Sequence, residues 1–217
     1  MLDSQLEIDF RPKLSGARDQ GNRPTCLSHA ISTSHEFLLS SDITLSVEYL
    51  HYFATNGKPS NGAALGGAIE ALEEAGQPEE RHCPYFNEDP PAGWHPNNSM
   101  STYRRYSTRM SNSINSIAES LHASLLPVLG ISLPFNFFHP SYPWIISSDT
   151  KVYGLHAVVA VGLASAEARS MVLIRNSWGK DWGNNGYVFL NEDFLNSHLF
   201  EVLVLGGDPK NDNVNSS

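Results

Sequence analysis

The chain is poor in cysteine. Of its 217 residues only two are Cys, Cys26 and Cys83. Two thiols allow one disulfide at most, and a metal site built on paired cysteines is excluded by the count. If Cys26 is a working thiol, no disulfide remains, which suits a reducing compartment. Positive charge is also short. Lys and Arg number 14 against 23 Asp and Glu, giving a formal net charge of −9 and a pI near 5.4. A nucleic acid or an anionic membrane would call for a basic face, so neither is expected as a partner. No apolar run is long enough to span a bilayer. The opening MLDSQLEIDF is acidic and lacks the basic-then-apolar layout of a secretory signal. The expectation is a cytoplasmic protein, with secretion by a non-standard route left open.

What is present is enough to fold. Apolar residues make up 41% of the chain, so a sizeable core needs no covalent staples. Residues 1–24 carry Pro12, Gly16, Gly21 and Pro24 and read as an extended lead-in. From 25 to 39, Leu27, Ala30, Ile31, Phe37 and Leu38 recur as a helical stripe, with Thr25 at the N-cap and Cys26 in the first turn. A second helix is expected in LSVEYLHYFA from Ser46, and a third in ALGGAIEALEEAG with Gly76 as its stop. Residues 77–111 read as loop with a strand at 102–108, and a fourth helix is expected over about 113–123. A strand in LLPVLGISL follows, then an aromatic, Pro-rich connection over 134–152. The runs HAVVAVGLA, MVLIRNSW, GYVFLN and LFEVLVL read as strands. Residues 206–217 read as a flexible tail. Helices first and strands after predict an α+β protein, with a helical lobe over about 20–108 and a β lobe over about 109–205 plus the lead-in.

The chemistry starts at DQGNRPTC, residues 19–26. A thiol in a first helical turn sits where the helix favours negative charge, which lowers its pKa. As a nucleophile it still needs a base and an oxyanion donor. Among the nine histidines, His35 fails the H-E-x-x-H zinc pattern because position 39 is Leu. His82, His95, His122 and His139 lie among polar or loop residues. His29, one turn after Cys26, points toward packing. His156 opens HAVVAVGL, and Asn176 ends the next strand-like run. If those strands are antiparallel neighbours, the two meet at one sheet edge. An Asn oxygen then holds one imidazole nitrogen and leaves the other for a thiol. Trp178 falls on the same face and can cover that bond.

These motifs resemble the papain-like cysteine peptidases. The resemblance rests on Q-G-x-x-x-x-C at Gln20–Cys26, on His156 before small and apolar residues, and on N-S-W-G-x-x-W-G-x-x-G-Y, complete from Asn176 to Tyr187. It implies a papain-like fold, a helical lobe plus an antiparallel β-sheet lobe with the active-site cleft between them, as one catalytic domain over 1–205. It implies Cys26 as nucleophile paired with His156, Asn176 orienting the His, Gln20 in the oxyanion hole and Trp178 in support. Gly62 and Ala63 fall where family members bind substrate backbone, and a specificity residue is expected around His198–Glu201. Leu27 replaces the usual Trp after the nucleophile, and Arg23 stands where a disulfide-bonded Cys is usual. That style is closest to short, disulfide-free bacterial members. No cofactor and no metal are implied.

The expected activity is hydrolysis of peptide or isopeptide bonds in a peptide or protein substrate. The familiar inhibitory propeptide is not seen before the first motif, so a separate inhibitor or regulatory chain is an expected partner. An acyltransferase or deamidase using the same thioester, and a catalytically silent papain-fold binding protein, stay as alternatives.

Overall fold

The computed structural model describes residues 6–39, 42–166 and 169–207. The chain gathers into two compact units. One holds the residues up to Asp19 together with Arg109–Val204, the other Gln20–Thr108 together with the residues from Leu205 on.

The lead-in is not uniformly extended. It forms a strand, β1 (Leu6–Asp9), and one 3-10 turn over Arg11–Lys13 that Asp9 holds through the Arg11 guanidinium at 2.7 Å. Helix α1 (Cys26–Leu39) follows Pro24 and Thr25, and the Thr25 carbonyl accepts its first bond from His29 N at 3.0 Å. The helix is buried far beyond its apolar stripe: Ser28 through Glu36 are all buried. Its hydroxyls make that tolerable by bonding back to carbonyls, Ser32 to Ser28 and Thr33 to His29. Helix α2 (Val47–Ala54) is capped by Ser46, whose Oγ accepts from Tyr49 N. Helix α3 (Leu65–Glu70) packs on α2 and widens into a π turn over Ala71–Ala75 that stops at Gly76. Gln77 ties these helices together: its Oε1 accepts from His35 Nδ1, and its Nε2 donates to Ser32 Oγ and the Ser46 carbonyl. The strand expected at 102–108 is shorter and later, β2 (Ser107–Arg109), while Tyr103 exchanges both backbone bonds with Gln77.

The other unit continues with α4 (Ile114–His122), capped by Ser113, and β3 (Val128–Pro134). The aromatic connection is partly regular: α5 (Phe135–Phe138) and β4 (Ile145–Ile146) lie within it. Then come β5 (Val152–Ala166), β6 (Arg169–Arg175), β7 (Tyr187–Asn191), α6 (Glu192–His198) and β8 (Leu199–Leu205). Helix α6 has no apolar period long enough to see in the sequence, but its start is marked. Asn191 accepts from Phe194 N, and Glu192 and Asp193 fill the first turn. In the sheet the strands run in the order β8, β3, β5, β6, β7, β4, with β1 also on β5. All these pairings are antiparallel except β4 with β7. Val158–Val161, Val172–Ile174 and Val188–Leu190 form the core beneath the sheet's faces. Among the described residues no helix is long and apolar enough to cross a membrane. Of the tail, Gly206 and Gly207 exchange backbone bonds with Tyr106, and residues from 208 on lie outside the described ones.

β1 can lie on β5 because Gly162 has no side chain: a Cβ there would stand 2.6 Å from the Ile8 carbonyl oxygen. Gly162→Ala is expected to destabilise the protein by about 1–3 kcal/mol. A urea midpoint equal to that of the parent would refute the close approach.

Candidate active site

The sequence-derived site residues fall in both units, and each half is built separately. In the helical unit, Cys26 opens α1 and is half-buried. Gln20 is buried, and its Nε2 donates to the Arg23 carbonyl at 2.7 Å, which folds its amide back toward the helix start. The turn between them needs Gly21 at φ +61°, in the left-handed region.

What holds this turn was not read from the sequence. Arg23 is buried and donates through both terminal nitrogens to the Glu48 carboxylate, and through one of them to the Phe86 carbonyl at 3.0 Å. Its guanidinium lies 5.0 Å from the Tyr85 ring centroid. Burial works against the Arg23 charge, but the Glu48 bond outweighs it and the guanidinium pKa is raised. Tyr85 Oη donates to the Gln20 carbonyl at 2.9 Å and meets Thr25 Oγ1 at 2.8 Å. One phenol thus ties the two ends of the turn. His29 packs edge-on against the same ring. The only sequence signals for these partners were a Tyr in the CPY turn and a Glu in the first turn of α2.

Gly62 lies in the same unit, exposed, where a Cβ would touch Pro24 at 3.8 Å; Ala63 is half-buried beside it. Their loop is anchored by His51, whose Nε2 bonds the Pro59 carbonyl at 3.0 Å while its Nδ1 meets Ser28 Oγ at 3.2 Å. Burial pulls the His51 pKa below its ordinary range, against the pull of the Pro59 bond.

In the sheet unit, β5 begins at Val152, so His156 lies inside the strand, paired with Ile131, rather than at its mouth. Asn176 follows the last residue of β6, and β5 and β6 are antiparallel neighbours. His156 Nε2 lies 2.7 Å from Asn176 Oδ1. The Ser177 backbone N–H also points at that atom, at 2.8 Å, so it is an oxygen acceptor. Nε2 therefore carries the proton, and in the neutral ring Nδ1 keeps a lone pair. The Trp178 ring lies 4.8 Å from the imidazole centroid, and Phe137 closes in at 5.9 Å. Gly186, at φ +91°, lets the Asn176 N–H reach its carbonyl, and Ala17 packs where a Cβ would be. Burial pushes the His156 pKa from 6.5 down to about 4, with the Asn176 bond opposing. At neutral pH this ring is uncharged unless an anion joins it.

His198 bonds Ser132 Oγ at 2.8 Å and the Asp149 N–H at 3.3 Å, so it is committed to structure at the end of α6. His82, His95, His122 and His139 are exposed.

Residues 6–200 match the family model described as papain family cysteine protease. Among curated relatives, cathepsin K of Gallus gallus is 27% identical over 84% of this chain and 58% of its own length. Peptidase 1 of Euroglyphus maynei is 26% identical over 86% of this chain and 60% of its own. The chain therefore spans about three fifths of those relatives. Among solved structures, xylellain, a cysteine protease from Xylella fastidiosa, superposes with a TM-score of 0.78 at 22% identity, covering 91% of this chain and 84% of that one. Bromelain from Ananas comosus superposes at 0.75 and 19% identity, covering 93% and 98%. These superpositions place the fold as papain-like, α+β.

Two measurements follow. Glu48→Gln keeps the shape but leaves the buried Arg23 with only the half-exposed Asp89 carboxylate, 3.5 Å from its Nε, as counter-charge, and is expected to destabilise by about 3–5 kcal/mol in chemical denaturation. A loss under 1 kcal/mol would mean that the pair is not the brace of the turn. His51, His156 and His198 all have lowered folded-state pKa values. Their unfolded forms bind protons first, from about 6.5 downward, so stability present above that pH is lost as pH falls toward about 4. The melting temperature is expected to drop steadily over that window, and a flat profile would contradict the burial of these rings.

Proposed function

The chain belongs to the papain family of cysteine proteases, and on that premise we propose that it hydrolyses peptide or isopeptide bonds by covalent catalysis at Cys26. The observation that carries this reading is the hydrogen bond of His156 Nε2 to Asn176 Oδ1, which fixes the tautomer and leaves Nδ1 to take a proton from a thiol. Cys26 attacks the substrate carbonyl, and the C–N bond breaks as His156 returns that proton to the leaving nitrogen. Water, deprotonated by His156, then releases the acyl group from sulfur. Gln20 Nε2 and the Cys26 backbone N–H hold the oxyanion, and the bond of Gln20 to the Arg23 carbonyl presets its amide. Trp178 shields the His156–Asn176 bond, and the exposed Gly62 with Ala63 receives substrate backbone.

An imidazolium at His156 needs a neighbouring anion to offset its desolvation, so thiolate and imidazolium form together or not at all. The substrate is a peptide or protein. Cys26 and Cys83 are not joined in a disulfide, which supports a reducing, cytoplasmic home, and the disulfide-free core is the ground for a bacterial one.

The test is labelling by an epoxysuccinyl probe read by intact mass. Rapid single-site labelling is expected, lost in Cys26→Ala and slowed about 100-fold or more in His156→Ala. Gln20→Ala is expected to lower kcat about 100- to 1,000-fold with KM little changed. Labelling as slow as at an ordinary thiol, or undiminished in His156→Ala, would refute the assignment.

A further inference from the structure

The aromatic connection before β5 is not used by the chemistry above. Of eight exposed large apolar side chains among the described residues, six lie between Phe135 and Leu155. Four rings there form a graded series. Trp178, on the His156 imidazole, is half-buried; Phe138 stacks on it at 5.6 Å with planes 21° apart. Tyr153 meets Phe138 at 6.3 Å, and Phe135 meets Tyr153 at 5.8 Å. Tyr153 and Phe135 are 49% and 58% exposed. A row of rings that starts at a buried imidazole and ends in water is unusual for a monomer's surface, because such rings gain most by leaving water. Helix α5 supplies two of these rings from one short turn, β5 supplies Tyr153, and Lys151 Nζ sits 4.9 Å over Tyr153 and helps to orient it.

We infer that this ladder binds an aromatic or large apolar side chain on the amine side of the scissile bond, so that the protein selects its substrates by their leaving segment. The inference rests on the peptidase reading. In that reaction the acyl part stays on the Cys26 sulfur, whereas the leaving nitrogen must reach the His156 imidazole to be protonated. Whatever is attached to that nitrogen is delivered to the surface contiguous with the imidazole, and that surface is the ladder. Its edges and faces suit another ring in offset or edge-on contact. Each outer rung can move little, since Phe135 and Phe138 share one helical turn and Tyr153 is flanked by Val152 and Leu155, which pair with Pro134 and Ser132 of β3. A site ordered before binding loses little entropy when filled.

The test is digestion of a proteome-derived peptide library, with the residues on the amine side of each cut read by mass spectrometry. Phe, Tyr, Trp and Leu together are expected to be enriched about tenfold over Gly, Ala and Ser at one of the first two positions after the cut. In Phe135→Ala/Tyr153→Ala the enrichment is expected to fall below about threefold. Tyr142→Ala, a still more exposed ring outside the ladder, is expected to keep it. Cys26 labelling in the same samples separates the two failures. Labelling with cuts that show no such enrichment, or with enrichment kept in the double variant, overturns the ladder alone, whereas labelling with no cuts overturns peptide hydrolysis and the ladder with it. No labelling and no cuts overturn the peptidase reading, and the ladder inference with it.

Discussion

The buried Arg23–Glu48 pair is the constraint on which the helical unit depends. It joins the turn before α1 to the first turn of α2, and it has little water to fall back on, since both side chains are almost fully enclosed. Around it the Phe86 carbonyl takes a further hydrogen bond, the face of Tyr85 covers the guanidinium, and the Asp89 carboxylate lies 3.5 Å from Nε. Tyr85 then reaches Gln20 and Thr25, and Gln20 reaches back to Arg23. The loop is closed in a ring of contacts, so the position of the amide relative to the start of α1 follows from where Glu48 sits. Ser46, two residues earlier, caps α2 and also donates to the Cys83 carbonyl, which fixes the segment that carries Tyr85.

The sheet unit fixes its residues by other means. His156 is held by strand pairing on β5, with Val159 opposite Arg175 setting the register that brings Asn176 alongside. Arg175 in turn donates to the Gly16 carbonyl, and the Gly179 N–H bonds Arg18, so the lead-in is fastened to the segment that carries Trp178. Backbone ladders are shared among many bonds. An ion pair concentrates its effect in one place. The two halves of the proposed site therefore differ in how they fail: the sheet half by cooperative unfolding, the helical half by the loss of one contact.

The order of helices and strands was legible because apolar periodicity and punctuation by Gly, Pro and capping residues act locally. The Ser46 and Ser113 caps and the Gly76 stop are examples. The adjacency of His156 and Asn176 was legible for a similar reason, since two strand-like runs so close in sequence pair in only a few ways. What escaped was long-range or polar. Glu48 is 25 residues from Arg23, and nothing in either local pattern joins them. The all-round burial of α1 was hidden because serines and a histidine read as surface until their carbonyl and Gln77 partners are known. β5 starts four residues before His156 because Val152 and Leu155 pair with β3 through their backbone while their side chains, and that of Tyr153 between them, stay exposed, and an exposed strand end has no hydrophobic alternation to show.

Where a covalent crosslink would answer to redox potential, the Arg23–Glu48 brace does not. Its formation asks for no oxidant and no exchange catalyst, so this part of the fold closes as fast as its helices pack. Thiol reductants leave it untouched, which lets a thiol at Cys26 be kept reduced without loosening the turn beside it. Peroxide at Cys26 leaves the brace intact, so damage to the sulfur and damage to the fold are separate events, and the first is reversed by thiols as long as it stops at the sulfenic acid.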